Sequence, residues 1–321
     1  MPDRSDAGNP GPSADDRLAA AIARRYYLRD ESQVSIAADL GISRFKVARL
    51  LEWARTEGIV RIEVAEPEVD VALSKALANA LGIDRALVLD TVESDPRTAQ
   101  IGALAARHLA SVVPPHGVLG IAWSRATQAL AEHLRGIPDA TVVQLCGVLT
   151  HAAGEEQSVE LVRRAAVNTG GKALTFYAPL VLDDAATAGS MRRQAGIIDV
   201  LRQCDSLSVA VIAVGMWAPG CSTVYDAVSV HDRLTFAERG AVGESAGILF
   251  DASGEVLRDG LQDRVVAVTE AQLRHAGEVV ALATEVERIP AVYALTRSGL
   301  VTTLITHRQL AEHVLADLGE H

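Results

Sequence analysis

Residues 33–51 read QVSIAADLGISRFKVARLL, and this stretch has the features of a helix-turn-helix. Ala37 is small where two helices must cross closely, Gly41 can adopt the left-handed conformation that ends a helix, and Ser43 can cap the next one. Apolar residues then recur at i, i+3, i+4 and i+7, namely Val47, Leu50, Leu51 and Ala54. The pattern predicts a second helix with one buried face and one open face.

The open face of this second helix is basic. At about 100° per residue, Phe45, Lys46 and Arg49 point away from the apolar face. Residues 43–61 contain five basic and two acidic side chains, a net charge of +3. Because a recognition helix enters the major groove by its N-terminal part, we predict contacts with double-stranded operator DNA from Gln33, Ser43, Arg44, Phe45, Lys46 and Arg49. The alternative is an ordinary capped helical hairpin whose charges are solvated.

The rest of the chain is long enough for a second, larger core. It has 321 residues, 49% apolar and 22% charged, as in globular proteins. The net charge of −11 argues against a protein coated with nucleic acid along its whole length.

The composition of residues 1–14 predicts a disordered tail without a secretion signal. We assign residues 15–66 to the (winged) helix-turn-helix domain, which ends in an alternating stretch at 59–64 and a break at 66–68, and residues 67–321 to a second domain.

Cysteine usage and hydropathy exclude several classes of protein. Cys146, Cys204 and Cys221 form no CxxC pair and have no histidine cluster at metal-ligand spacing. We therefore expect a cytoplasmic protein without a structural metal or a cofactor. The longest apolar stretch, 208–217, is far short of the roughly 20 residues that cross a bilayer, so we expect no membrane span.

In the second domain, apolar runs of strand length alternate with helical patterns. The predicted strands are 86–89, 118–121, 141–145, 207–214, 265–269, 279–284 and 301–305. The predicted helices are 70–81, 97–112, 125–135, 156–169, 189–203, 234–239 and 286–298. Strands that are apolar throughout and alternate with helices imply an α/β fold, doubly wound around a largely parallel sheet.

Taken together, these segments resemble the SorC family of sugar-responsive bacterial regulators, in which a helix-turn-helix precedes a sugar-binding domain. In the N-terminal part the resemblance rests on Tyr26-Tyr27 and on residues 36–44, 49–55 and 58–60. In the C-terminal part it rests on 118–125 (VLGIAWSR), 143–147 (VQLCG), 178–179, 214–215 and 240–244 (GAVGE). The resemblance implies a domain similar to sugar-phosphate isomerases that binds a small sugar, polyol or sugar phosphate. It also implies a homo-oligomer, a dimer or a tetramer.

Carried over to this sequence, the resemblance places an effector site at the carboxyl ends of the strands, where ligands gather in α/β sheets. Ser124, Arg125 and Thr127 would cradle the polar head of the effector. Further residues would line the neighbouring strand ends and the other side of the cleft, namely Gly120, Gln144, Cys146, Gly147, Glu244 and Arg288. Any one of them could instead serve a turn or be a hydrogen-bonded core group.

Two departures from the family's pattern concern the effector. Where the family tends to have Trp-Gly-Arg-Thr, residues 123–126 read WSRA. Where the family has Ala-Gly-Gly-x-x-Lys, residues 283–288 read ATEVER, so Arg288 can still donate to an anion but Glu285 and Glu287 add negative charge. This favours an unphosphorylated sugar, a polyol or a differently placed phosphate. No lysine lies in a glycine-rich loop of this domain, so a Schiff base is not expected.

The sequence leaves a second function open, an isomerase-like enzyme for sugars or sugar phosphates with an accessory N-terminal domain. It would need a general base, for which Glu244 or Asp226 could serve. An enzyme has no need of a basic helix-turn-helix, however, and no compact acid–base group is visible. A non-enzymatic regulator of carbohydrate or polyol catabolism without catalytic residues is therefore our interpretation. A nucleotide-binding module is set aside because GxGxxG and GxxxxGK[ST] are both missing.

Overall fold

The computed structural model of this chain describes residues 14–60, 69–90, 97–137, 139–148, 157–258 and 260–319. The chain divides into two compact units, residues 1–65 and 66–321, which we describe one at a time. The predicted tail lies outside the described residues except for Ala14, which begins the first helix. The alternating stretch beyond residue 60 and the break at 66–68 also lie outside them, so the wing and the domain boundary stay predictions.

The N-terminal unit contains three described helices, α1 (Ala14–Leu28), α2 (Gln33–Leu40) and α3 (Arg44–Thr56). Ser43 caps α3, because its hydroxyl accepts a hydrogen bond from the Lys46 N–H at 3.2 Å. Gly41 ends α2 at a φ of +63°, a conformation that costs little only for glycine. Apolar side chains of all three helices form a small core of Ala19, Ile22, Ala23, Ile36, Ala37, Val47, Leu50, Leu51 and Ala54.

The C-terminal unit is built around a seven-stranded parallel sheet. The C-terminal unit has ten described strands in two sheets: β1 (Arg85–Leu89), β2 (Val118–Ile121), β3 (Thr141–Gln144), β4 (Ala173–Leu174), β5 (Val209–Ala213), β6 (Gly215–Met216), β7 (Ala241–Ser245), β8 (Ile248–Asp251), β9 (Glu278–Leu282) and β10 (Thr303–His307). The main sheet has the order β1-β10-β9-β5-β2-β3-β4. Strands β6, β7 and β8 form a separate antiparallel sheet.

Eleven described helices accompany these sheets: α4 (Val71–Leu81), α5 (Arg97–Val112), α6 (Arg125–His133), α7 (Gln157–Thr169), α8 (Ala185–Arg192), α9 (Ile197–Gln203), α10 (Thr223–Ala227), α11 (Val230–Glu238), α12 (Glu270–His275), α13 (Ile289–Arg297) and α14 (Arg308–Gly319). Within the described ranges, none of the helices combines the length and the apolar composition that a bilayer span requires.

Both faces of the main sheet are buried, which explains why its strands are apolar throughout. In β5, Val209 and Val211 belong to one hydrophobic core, whereas Ala210 and Ile212 belong to another. Successive side chains of a strand point to opposite faces, so the two cores lie on the two sides of the sheet. The predicted α/β class with a largely parallel sheet is confirmed.

The prediction of a strand at 265–269 was wrong. Val265 and Ala267 each form only an isolated bridge, to Val181 and Cys146 respectively. The Val266 N–H donates to the Leu180 carbonyl, while the Val268 N–H donates to the Leu145 carbonyl. This segment is apolar because it is buried between two neighbouring pieces of chain, and its changing partners prevent a regular ladder.

The helix predicted at 189–203 is in fact two helices. Helix α8 ends at Arg192 and α9 begins at Ile197. Gly196 has a φ of +75°, which breaks the helical path between them. The antiparallel sheet and helices α10, α12 and α14 were not predicted, because their segments are short or lack a clear apolar period.

Candidate functional site

A cavity opens in the C-terminal unit at the carboxyl ends of β2, β3 and β5, and its volume is about 120 Å³. Along the chain, β3 and β4 extend the sheet to one side of β2, and β5, β9 and β10 extend it to the other. The chain segments that follow the strands leave in opposite directions where the strand order reverses. They leave a crevice at the carboxyl ends of the strands, and this crevice binds ligands in many α/β folds. The lining comes from residues 122–125, 146–148, 213–215, 220–224, 244 and 246, with Ser158, Leu180 and Arg288.

Six of the nine predicted effector residues line this cavity, namely Ser124, Arg125, Cys146, Gly147, Glu244 and Arg288. Three do not. Gly120 lies inside β2, where an added Cβ would be 2.5 Å from a methyl carbon of Leu145 and 2.7 Å from one of Leu207. Thr127 and Gln144 are fully buried behind the lining. The sequence therefore pointed to strand ends that border the cavity but did not separate lining residues from the residues behind them.

Thr127 supports the loop after β2. Its hydroxyl accepts a hydrogen bond from the Ser124 N–H at 2.7 Å, and the Ser124 hydroxyl accepts one from the Thr127 N–H at 3.0 Å. This reciprocal capping box starts α6 at the edge of the cavity. The Ser124 side chain is thus held in place at the rim of the cavity.

Gln144 and Gly147 shape the loop after β3. The Gln144 amide donates to the Cys146 carbonyl at 2.9 Å and accepts from the Phe176 N–H at 3.1 Å. At Gly147, an added Cβ would lie 2.6 Å from the Ala178 carbonyl oxygen and 2.8 Å from the backbone nitrogen of Leu180. Glycine is required there because two backbone segments touch beside the cavity.

Glu244 forms a buried wall of the cavity on β7. Its carboxyl accepts hydrogen bonds from the Ser222 hydroxyl at 2.9 Å and from the Gly247 N–H at 2.7 Å. Burial raises the pKa of Glu244 above its ordinary value of 4.5, although these bonds and the charge of Arg288 act in the opposite direction. Gly215 leaves room for this carboxyl, because a Cβ there would lie 2.8 Å from Oε2.

Arg288 closes the opposite side of the cavity. Its Nη1 donates to the Val214 carbonyl at 2.7 Å, and its Nη2 lies 2.6 Å from Oε2 of Glu285. The same Glu285 lies 3.6 Å from Nη2 of Arg125. Two buried donors at the cavity, Nε of Arg288 and Nε1 of Trp123, have no hydrogen-bond partner among the described residues. Such unpaired buried donors are costly unless a ligand or water satisfies them.

Several lining residues were not predicted as site residues, notably Trp123, Ser158, Gly215, Cys221 and Ser222. A sequence signal exists for Ser222, because its hydroxyl caps α10 by accepting from the Val224 and Tyr225 N–H groups. The importance of Ser222 for Glu244 could not be found in this way, since the two residues are far apart in sequence and meet only in the fold.

Of the possible reactive groups other than Glu244, Cys146 lines the cavity and Asp226 does not. Burial raises the pKa of the Cys146 thiol to about 11, so this thiol is protonated at neutral pH and is a poor nucleophile. Asp226, the other candidate base, is not a lining residue, and its carboxylate accepts from the Gly220 N–H at 3.2 Å. In the part of the chain that the structure describes, His, Cys, Asp and Glu side chains form no cluster of three that could hold a metal ion.

The N-terminal unit presents a second candidate site on α3. Phe45 is 87% exposed, and Arg44, Lys46 and Arg49 are exposed beside it. The opposite face of α3 is buried in the three-helix core, as the apolar pattern predicted. Gln33 is half-buried at the start of α2, and the hydroxyl of Ser43 is occupied as a cap. These side chains stand in the first turns of α3, the part of a recognition helix that enters the major groove.

Comparisons with known proteins place this chain in a family. A family profile described as "Putative sugar-binding domain" matches residues 65–316, so the chain belongs to this sugar-binding domain family. The chain is 28% identical over 314 residues to the transcriptional regulator LsrR of Enterobacter sp. (strain 638), and the match covers 95% of this chain and 94% of the relative. The relatives of this chain are thus named transcriptional regulators.

Solved structures confirm the fold. The full-length sorbitol operon regulator SorC from Klebsiella pneumoniae is similar to 94% of this chain over its own whole length, with a TM-score of 0.71 and 22% identity. A domain of a possible sugar-binding transcriptional regulator from Arthrobacter aurescens TC1 is similar to 76% of this chain, over 96% of its own length, with a TM-score of 0.68 and 22% identity. The resemblance to the SorC family is confirmed.

Proposed function

We propose that this chain is a DNA-binding transcriptional regulator of carbohydrate or polyol catabolism, and that a small sugar, polyol or sugar phosphate in the cavity controls its affinity for operator DNA. The observation that carries the proposal is the exposed cluster of Arg44, Phe45, Lys46 and Arg49 at the beginning of α3. Among the described residues, none of its three cations is engaged in an ion pair, so their donors are available to phosphates and guanine edges.

The cavity supports the effector part of the proposal. It lies at the reversal of the strand order and contains hydroxyl, carboxyl and N–H groups, which match the hydroxyl groups of a sugar. An effector changes DNA affinity only if it binds two arrangements of the protein differently. The proposal includes assembly of the chain into a homo-oligomer, either a dimer or a tetramer. Operators often contain paired half-sites, and the symmetry of these half-sites matches that of an oligomeric regulator.

The DNA-binding role is tested by a single substitution. Duplexes that bind the full chain are selected from a random-sequence library, and their affinities are measured at fixed salt. We expect Arg49→Ala to weaken binding by about 1–3 kcal/mol, or roughly fivefold to 150-fold, because Arg49 would donate to a base edge or a phosphate. Lys75→Ala removes the same charge from exposed α4 of the other unit and is the control. Unchanged affinity of the Arg49→Ala variant would contradict the proposed role of α3.

The effector role is tested by thermal shift. Sugars, polyols and their phosphates are screened against the full chain, because a ligand that binds only the folded state raises the melting temperature. Hits are then added to the protein–DNA complex, and the change in operator affinity is measured. Turnover of the same compounds would instead support the isomerase alternative, for which Glu244 is the candidate base in the lining, since Asp226 is not a lining residue.

A further inference from the structure

The two cationic side chains among the described lining residues of the cavity both contact one carboxylate. Arg288 lies 2.6 Å from Glu285, and its side chain is only 15% exposed. Arg125 lies 3.6 Å from Glu285, and its side chain is 75% exposed, so solvent screens this second contact strongly. The carboxylate of Glu285, which is not itself a lining residue, thus pairs with the largely buried arginine of the lining.

The orientation of Arg288 is held from two sides. One terminal nitrogen donates to the Val214 carbonyl at the end of β5, and the other pairs with Glu285. A phosphate dianion could reach this fork only by displacing Glu285 or by lying beside its negative charge, and both are unfavourable in a partly buried site. Arg288 keeps its Nε–H free among the described residues, and this single donor suits a hydroxyl oxygen.

The remaining polar groups of the cavity also suit hydroxyl groups. The Trp123 Nε1–H is buried and unpaired among the described residues, and it can donate to one ligand oxygen. The Glu244 carboxyl is held by Ser222 and Gly247 and is buried, so its pKa is raised and its charge is disfavoured. Such a lining offers directional hydrogen bonds, and the charge of Arg288 is offset by its contact with Glu285.

We propose that Glu285 is a specificity-determining residue: by holding Arg288 it excludes phosphate groups, and the cavity binds an uncharged polyhydroxylated ligand, a free sugar or a polyol. The hydroxyl groups of this ligand accept from Trp123 and Arg288 and bond to Glu244. This inference rests on the proposed effector role of the cavity and specifies the chemical class of the effector.

The principal test uses inorganic phosphate and the full chain. Phosphate is titrated into wild-type protein and the Glu285→Gln variant, with chloride at matched ionic strength as the reference, and binding is followed by thermal shift and by ³¹P NMR line width. We expect no specific binding to the wild type and at least a roughly tenfold tighter binding to the variant, because the freed arginine fork can take the anion. Equal phosphate binding by the two proteins overturns the inference.

Two further variants show where the phosphate binds. Glu287→Gln removes the same charge two residues away, at an exposed position that forms no ion pair with Arg288 or Arg125, and it is expected to bind phosphate no better than the wild type. Adding Arg288→Gln to Glu285→Gln is expected to abolish the gain. A gain in Glu287→Gln as large as that in Glu285→Gln would mean that only the general charge matters, and it would overturn the inference.

A second test separates this inference from the proposed function. Matched pairs, such as ribose with ribose 5-phosphate and glucitol with glucitol 6-phosphate, are compared on the wild type for binding and for release of operator DNA. A phosphorylated member that binds more tightly than its neutral partner and releases DNA overturns the inference while the regulatory function stands. A neutral member that binds in the cavity without any effect on DNA supports the inference and contradicts the regulatory function.

Discussion

The carboxyl of Glu244 lies in the cavity wall away from solvent, where burial raises its pKa above 4.5. The folded state therefore keeps this proton to a higher pH than the unfolded state does. The stability that the protonated group contributes is full below the unfolded pKa and is lost as pH rises through the folded pKa. A neutral substitute of the same shape would remove this loss.

We therefore expect the melting temperature of Glu244→Gln, relative to the wild type, to increase as the pH is raised from about 5 to about 8. The glutamine can still accept from Gly247 and can donate to the Ser222 hydroxyl. The control is Glu238→Gln at an exposed position, whose difference from the wild type should stay constant. A constant difference for Glu244→Gln over this range would contradict the assigned pKa direction.

Individual residues of the cavity were only partly predictable. Ser124, Cys146 and Glu244 stand next to glycines or capping residues, and the resemblance to a known family pointed to them. Trp123 and Ser222 carry no local mark of their role, because an unpaired indole N–H and a hydrogen bond to Glu244 exist only after folding. The negative charge of Glu285 was visible in the sequence, whereas its contacts with two arginines were not.

At the scale of the element, the turn between α2 and α3 depends on Gly41. Its φ is +63°, and no atom lies within 4 Å of the place where a Cβ would stand, so a side chain would meet only backbone strain. We expect Gly41→Ala to destabilise the α2–α3 pair by about 1 kcal/mol and Gly41→Asn to cost less, because asparagine tolerates this conformation.

Amide hydrogen exchange of α2 and α3 in the full chain measures this effect. A loss of about 1 kcal/mol corresponds to roughly fivefold faster exchange through local opening. Gly82→Ala is the matched control, since Gly82 ends α4 in the other unit with a φ of +66° and equally open surroundings. If Gly41→Ala exchanges as slowly as the wild type in α2 and α3, the left-handed turn is not needed for their stability.

Elements with a strong local signal were predicted well. Helices α3 and α5 and strand β2 are examples, with clear caps, turns or apolar runs in the sequence. Their apolar residues follow the period of the helix or strand because the same faces are buried along the element. The segment 265–268 is as apolar as a strand but pairs alternately with two neighbours. The two-residue strand β6 is too short for any period to be read. In both cases the partners of the segment decide its structure.

At the scale of the whole molecule, charge is divided unequally between the two units. Residues 1–65 contain ten basic and ten acidic side chains, so the entire net charge of −11 belongs to residues 66–321. An acidic body would repel DNA, which is consistent with the proposal that binding is restricted to the basic face of α3. The two proposed activities therefore belong to separate units of the chain.

A fragment of residues 66–321 is expected to keep the effector-dependent rise in melting temperature and to lose binding to operator DNA. The matching family profile spans residues 65–316, nearly the whole of this fragment. Its melting transition and ligand affinity are compared with those of the full chain, and DNA binding is measured at the same salt. Retained sequence-specific DNA binding by the fragment would contradict the assignment of DNA recognition to α3.

The sequence by itself determined the helix-turn-helix, the parallel α/β class and most of the strand ends that surround the cavity, because caps, turns and apolar periods act between residues a few positions apart. Only the tertiary structure decided which groups meet in the cavity. Glu285 and Arg125 are 160 residues apart, and they meet because the order and register of β2, β5 and β9 bring their strand ends together. Contacts of this range leave no periodic trace in a single sequence.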